Sequence, residues 1–345
     1  MRKKTLWVVA ADMGYGHQRA AFALRSAAFQ GKIITANDYP GIPDPDRTIW
    51  QETRRVYEFV SRFKKIPVLG EFVFSLMNKA QEIKPFYPKE RSPEPPRLQL
   101  RTIWQLMKRR DWGRHLISKL NENPIPLVAT FPVPGFMAEY WGYLGDIYLL
   151  VTDSDAARTW VPLSPKESKI RYLASTQRVA ERLFQYGVPR ERISLTGFPL
   201  PEEFTDKGGF LKTKKNLKRR LARLDPKRKY LTRYADVVRR YLGSVPSISA
   251  SEGVVIITFA VGGAGAQQDL GRQIIENLAP LVKRGRLRLR MVAATHEDAA
   301  QTFRETAKEQ GLSEREVRVV FYKTKDEYFK KFLEVLRESD ILWTK

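Results

Sequence analysis

The stretch "AADMGYGHQRAA", residues 10–21, decides how the rest of the chain is read. It continues an apolar run, Leu6 to Ala11, then passes Asp12 and two glycines flanking Tyr15 to reach a histidine, one of only three in 345 residues. An apolar run, a glycine turn and an alanine-rich segment read as a buried strand feeding a helix. Ligands of open α/β sheets bind beyond the carboxyl ends of strands, and this turn falls at such an end. Gly14 and Gly16 are expected to allow positive φ and close backbone approach, and the helix start favours negative charge. His17, with a reference pKa of about 6.5, suits proton removal at neutral pH. The alternative is a plain chain turn with His17 capping or packing. The spacing is not Gly-x-Gly-x-x-Gly, which argues against a nicotinamide site.

Outward from this stretch, "KIITAN", "PLVATF", "DIYLLVTD" and "RISLTG" read as further buried parallel strands. After a basic tract the pattern restarts with "GVVIITFAV", "LRLRMVAA", "VRVVFY" and "DILWT". Between strands lie helices such as "TQRVAERLFQYG", with Thr176 placed to cap the start and Gly187 the end. Strand–helix alternation predicts an α/β fold with parallel sheets, and the restart near residue 250 predicts two Rossmann-like halves. Residues 40–120 break the rhythm. Within them "LQLRTIWQLMKRRDWGRHLISKL" mixes Leu, Ile, Trp and Met with Arg and Lys, as an interfacial amphipathic helix or a helix packed on its own domain would.

Composition narrows the class. There is no cysteine, which excludes disulfides, zinc knuckles and thiol catalysis. The apolar start is cut short by Asp12, too early for a signal peptide, and no apolar run approaches the roughly 20 residues of a membrane span. The formal net charge is +23, and from Lys207 to Tyr241 there are 14 Lys or Arg against Asp225 and Asp236, about half of the total. Such a field favours nucleic acid, anionic lipid or phosphorylated substrates, unless it is only a solvated basic insertion. No zinc-finger, RRM or KH signature argues for nucleic acid.

Two further stretches carry candidate chemistry. In "TFAVGGAGAQQDLGRQIIENL", Gly262, Gly263 and Gly265 form another strand–turn–helix element, suited to a diphosphate or simply to a tight turn. In "YLLVTDSDAARTWV", Asp153 and Asp155 lie past a strand end, as an acid–base or metal pair or as loop and cap residues.

Taken together and in order, "DMGYGH", "ATFPVP", "VTDSDAARTW", "LASTQRVAERLFQYGVPRERISLTGFPLPEEF", "VGGAGAQ" and "SDILWTK" resemble the monogalactosyldiacylglycerol synthases and processive diacylglycerol glucosyltransferases, relatives of the peptidoglycan N-acetylglucosaminyltransferase. The resemblance covers most of residues 5–36, 124–206 and 253–345, is weak across 40–120 and is absent from the basic tract. It implies a GT-B glycosyltransferase: an acceptor domain over residues 1–204, a basic linker or insertion over 205–252 and a nucleotide-sugar domain over 253–345, facing across a cleft. The family's first-turn Gly-x-Gly-His maps onto Gly14, Gly16 and His17, with His17 taking the acceptor hydroxyl's proton. Asp153 is the second catalytic candidate. Asp12, Tyr15, Phe131 and Trp160 join the acceptor site, and Gln267, Thr344 and Lys345 join the three glycines at the donor site.

The resemblance further implies an inverting hexosyltransferase that uses a UDP-sugar as substrate, with no cofactor and no protein-held metal. It implies a lipid acceptor and a peripheral, cytoplasmic place on an anionic membrane, so that residues 40–120 would be membrane-proximal. The sequence departs from the family where Tyr15 replaces a smaller or polar residue. It departs again at Ala157, which lies where glycolipid synthases carry a histidine. A reading of another class is a non-catalytic GT-B-like protein that holds an anionic polymer through its basic tract. The second half is short for a closed Rossmann-like domain, and "DILWT" would leave Ile341, Leu342 and Trp343 on an open edge. This predicts that the chain is the N-terminal portion of a longer protein and that alone it binds donor poorly.

Overall fold

Val8, Val9 and Ala10 are buried on both sides of the first strand, the signature of a strand inside a parallel sheet covered on two faces. The computed structural model describes residues 5–63, 83, 86–87, 94–201, 210–246, 253–262 and 267–344. The chain divides into two units, Met1–Pro201 and Glu202–Lys345. In the first, β1 (Leu6–Ala10), β2 (Ala28–Thr35), β3 (Leu127–Ala129), β4 (Ile147–Leu150), β5 (Arg171–Ala174) and β6 (Ile193–Leu195) form one sheet. Its order is β2-β1-β3-β4-β5-β6, and every neighbouring pair is parallel. Val9 packs on one face with Ala129, Leu149 and Val151, while Val8 and Ala10 meet Ala21 and Ala28 on the other. Ala20 and Ala21 let helix α1 (Tyr15–Ala23) lie close on that second face.

In the tract from 40 to 120 the described residues are largely helical. Its described part contains helices α2 (Asp44–Phe63), α3 (Leu98–Arg110) and α4 (Arg114–Asn121). Leu100, Met107, Trp112, Leu116, Ile117 and Leu120 are all buried in the core of the first unit. Trp112 meets Trp50 edge-on, with ring centroids 4.8 Å apart. The buried apolar side chains of α3 and α4 thus pack on their own domain, Trp112 among the residues of its core. The described residues of the unit also form α5 (Pro132–Tyr140) and α6 (Gln177–Gln185). As the sequence predicts, the Thr176 hydroxyl accepts from the Val179 amide to cap α6, and Gly187 ends it with φ of 94°.

In the second unit β7 (Val255–Ala260), β8 (Leu287–Ala294), β9 (Val317–Phe321) and β10 (Ile341–Trp343) form a parallel sheet of order β10-β7-β8-β9. Helices α10 (Gln268–Lys283) and α11 (Glu297–Glu309) supply Ile274, Ile275, Ala300 and Phe303 to a core built with Phe259, Leu289 and Met291. β10 is an edge strand, and Ile341, Leu342 and Trp343 are exposed.

The described part of the basic tract forms three helices, α7 (Leu211–Leu224), α8 (Lys229–Arg233) and α9 (Ala235–Leu242). Two of its arginines are fastened to the end of α12 (Lys325–Glu338), where Arg220 donates to the carbonyls of Leu336 and Ser339 and Arg219 to that of Arg337. Cations there satisfy carbonyls that a helix end leaves open. Arg223 pairs at 3.0 Å with the wholly buried carboxylate of Asp340, which also accepts from the Ile256 amide of β7. Among the described residues no helix is long and apolar enough to cross a membrane.

Candidate functional site

The order of the first sheet reverses at β1, which has β2 on one side and β3 on the other. That reversal opens the crevice in which doubly wound proteins bind ligands. The residues that leave β1 and β3 at their carboxyl ends are Asp12 to His17 and Thr130 to Phe131, and they meet. His17 Nδ1 lies 2.9 Å from the carbonyl oxygen of Thr130. A carbonyl has no hydrogen to give, so Nδ1 carries the proton, and neutral His17 keeps its lone pair on Nε2. The Thr152 hydroxyl oxygen, just past β4, is also 2.9 Å from Nδ1 and shares that proton as a second acceptor. No other hydrogen bond to the ring is found among the described residues.

Aromatic rings hold the imidazole from the sides. Phe131 packs edge-on at 4.9 Å between centroids, and Trp160 lies at 6.0 Å. Phe131 is placed by Pro132, which starts α5 at a position needing no amide hydrogen. Trp160 is buried, and its indole N–H donates to Asp153 Oδ2 at 2.7 Å. Burial pushes the His17 pKa below its ordinary value, against the raising influences of the Asp153 charge and the Thr130 carbonyl. The ring is thus held neutral, with its available nitrogen unprotonated: a base with a fixed tautomer.

The remaining acceptor-side candidates divide. Gly14 caps α1 with φ of 135°, a backbone conformation that L side chains rarely adopt. Gly16 departs from the expectation: it lies within the first turn of α1, has no positive φ, and a methyl group there would meet nothing within 4 Å. Tyr15 opens the helix and is half-buried. The Asp12 carboxylate pairs with Arg54 at 3.2 Å, and its amide donates to Asn37 Oδ1, which ties the ends of β1 and β2 together. Asp155 is not a partner of Asp153. Arg182 grips it with Nε and one terminal nitrogen, each at 3.0 Å, and Arg178 adds a contact of 2.7 Å, so it fastens the loop to α6. Thr130 and Thr152 are not among the residues that the sequence points to. Thr130 directly follows β3, the neighbour of β1, and Thr152 lies two residues past β4, the next strand of the sheet.

The sheet of the second unit has its own reversal, between β10 and β7. Gly262 follows β7 and Thr344 follows β10, and the two strands run parallel with Trp343 opposite Phe259. Gln267 stands at the N-cap of α10. The Oε1 atoms of Gln267 and Gln268 are buried without a partner among the described residues. Asp269 in the first turn of α10 opposes a phosphate at that helix start. Gly263, Gly265 and Lys345 lie outside the described residues.

Residues 249–344 match the family model of a domain of unknown function, DUF6938. A search of curated proteins returned no significant match. One similar solved structure is HepE of Anabaena in complex with UDP and glucose, 10% identical, with 94% of this chain and 71% of that chain covered and a TM-score of 0.39. Another is UDP-GlcNAc 2-epimerase from Neisseria meningitidis bound to UDP-GlcNAc, 11% identical, covering 99% and 77%, with a TM-score of 0.41. The matched domain takes in the whole of the second parallel sheet, β7 to β10.

Proposed function

We propose that the chain is a GT-B-type glycosyltransferase that moves a hexose from a UDP-sugar to the hydroxyl of a lipid acceptor at an anionic membrane surface, with inversion. One observation carries the reading: His17 sits at the crevice of the first sheet with its Nδ1 proton given to Thr130, so that Nε2 is the basic atom. In the reaction Nε2 takes the acceptor hydroxyl's proton as that oxygen bonds to the anomeric carbon. The bond from that carbon to the diphosphate breaks, and UDP leaves with the electron pair. Asp153 stabilises the imidazolium that results, while Phe131 and Trp160 fix its plane. Asp12, Tyr15, Gly14 and Gly16 line the acceptor side. Gly262, Gly263, Gly265, Gln267, Thr344 and Lys345 hold the nucleotide, and the reading requires no cofactor. The sequence resemblance to the glycolipid synthases supports the lipid as acceptor.

The test is incubation of the chain with a panel of UDP-sugars and mixed lipids, followed by mass spectrometry of the lipid extract. A hexose mass added to a lipid, together with released UDP, is the expected result. No product with any donor, from a protein that binds UDP, would refute the assignment.

A further inference from the structure

We propose that the outward face of α8 and α9 is a docking surface that seats in the headgroup region of an anionic bilayer. Tyr230, Tyr234, Val237 and Tyr241 are spaced four, three and four residues apart, which puts them on one side of the two nearly continuous helices. All four are exposed, Tyr241 to 65%. The rings of Tyr230 and Tyr234 lie 4.9 Å apart, Arg233 stands over Tyr234 and Arg240 over Tyr241. Phe210, at the N-cap of α7, and Leu217 and Leu224 on it recur every seven residues and are exposed as well. Eight of the 21 exposed large apolar side chains among the described residues fall between Phe210 and Tyr241, so this surface is unusually apolar as well as basic.

The cations separate into two groups. Arg219, Arg220 and Arg223 are engaged with the end of α12 and with Asp340, whereas Lys212, Lys215, Lys227, Lys229, Arg233 and Arg240 are exposed to solvent. A polyanion in water would pair with those cations but leave leucine, valine and phenylalanine beside phosphate. A bilayer takes both kinds of group. Tyrosine rings sit at headgroup depth, aliphatic side chains go slightly deeper, and long basic side chains reach lipid phosphates. This inference rests on the membrane part of the proposed function and names the surface responsible; it does not depend on His17.

Co-sedimentation of the full chain with phosphatidylcholine vesicles, with and without phosphatidylglycerol, tests it. Binding is expected only to the anionic vesicles and is expected to weaken with salt. Replacing Lys227, Lys229, Arg233 and Arg240 by Gln should reduce partitioning on the order of a hundredfold or more. Replacing Tyr230, Tyr234 and Tyr241 by Ser should reduce it about tenfold or more. Thermal melts of both variants check that these surface changes leave the fold intact. Equal binding to both vesicle types, or unchanged binding by folded variants, would overturn the proposal. So would vesicle binding that survives the Tyr changes while single-stranded RNA binds more tightly than vesicles, which would mark a nucleic-acid surface. His17→Ala in the same assay should bind as the parent does. A chain that transfers sugar to a short-chain soluble acceptor but binds no vesicle sinks the surface alone.

Discussion

His17 and Thr130, 113 positions apart in sequence, are joined by a hydrogen bond of 2.9 Å between Nδ1 and the main-chain carbonyl. The donor nitrogen is thereby fixed without any side chain that mutation could remove. His17→Ala should lower transfer about 10²-fold or more while leaving UDP affinity nearly unchanged. Initial rates and calorimetric titration with UDP check both halves. Near-normal turnover in a folded variant would move the base elsewhere, with Asp153 next in line.

The pH dependence follows from the direction of the His17 shift. A general base works unprotonated, and burial lowers the pKa of this one. kcat/KM should therefore rise with pH through an inflection below the ordinary histidine value of about 6.5 and stay level above it. Stability carries the same sign. Between the unfolded and the lower folded pKa the unfolded chain binds more protons, so the native state weakens as pH falls through that window. Above the unfolded value its titration adds no pH dependence. The difference between the urea midpoints of the parent and His17→Gln should therefore be constant above this range and shift against the parent as pH falls through it.

Gly14 and Gly16 should respond in opposite ways to alanine. At Gly14 the φ of 135° makes Ala destabilising by more than about 1 kcal/mol. At Gly16 the helical backbone and empty surroundings make Ala stabilising by about 0.5–1 kcal/mol. Thermal unfolding of the two variants decides the signs. If Gly16→Ala is more stable yet slow in transfer, the glycine serves close approach of an acceptor rather than the fold.

Asp155→Ala should cost about 3 kcal/mol, because it leaves the buried Arg182 guanidinium without its carboxylate. Burial alone would raise the Asp155 pKa, but hydrogen bonds from Arg182 and Arg178 outweigh it and lower the value. Its contribution is thus present above the unfolded value of about 4 and is lost as pH falls through the folded one. Denaturant titrations at neutral and acid pH should show the gap between parent and variant closing in acid. A constant gap would contradict the assignment.

Asp340→Ala should loosen the second unit by several kcal/mol, on the order of what breaking a buried ion pair costs. It removes the partner of Arg223 and the acceptor of the Ile256 amide in one step. Hydrogen exchange should show α7 and β10 losing protection together. Loss confined to β10 would mean that the basic helices are held by other contacts.

Parallel strands such as β1, β3 and β7 were legible because buried β-branched runs between turn signals have few other interpretations. β5 is not legible as a strand: "RYLA" is four residues long, begins with a charge and shows no run of its own. The glycine turn and His17 were legible as a crevice, since a strand end followed by a helix start is a local pattern. The role of Asp155 was not, because a carboxylate two residues from Asp153 looks the same whether it faces a substrate or two arginines more than 20 positions ahead. Which of the two surfaces receives Trp112 is not legible for a similar reason. An amphipathic helix records that it has an apolar side, while the surface that covers that side is set by Trp50 and the sheet. The fastening of Arg223 to Asp340 spans 117 positions, beyond the reach of any local pattern.

The order β10-β7-β8-β9 has a consequence for how the second unit is made on the ribosome. β7 is its first strand to emerge and becomes an inner strand, yet one of its two neighbours is β10, the last of the four to be synthesised. Ile256 must wait for Asp340, 84 positions later, to satisfy its amide. Until then one flank of β7 offers open main-chain groups to any passing strand, a long-range closure that is slow by nature. In the first unit β1 finds β2 within 30 positions, so its earliest pairing can form while most of the chain is still to come.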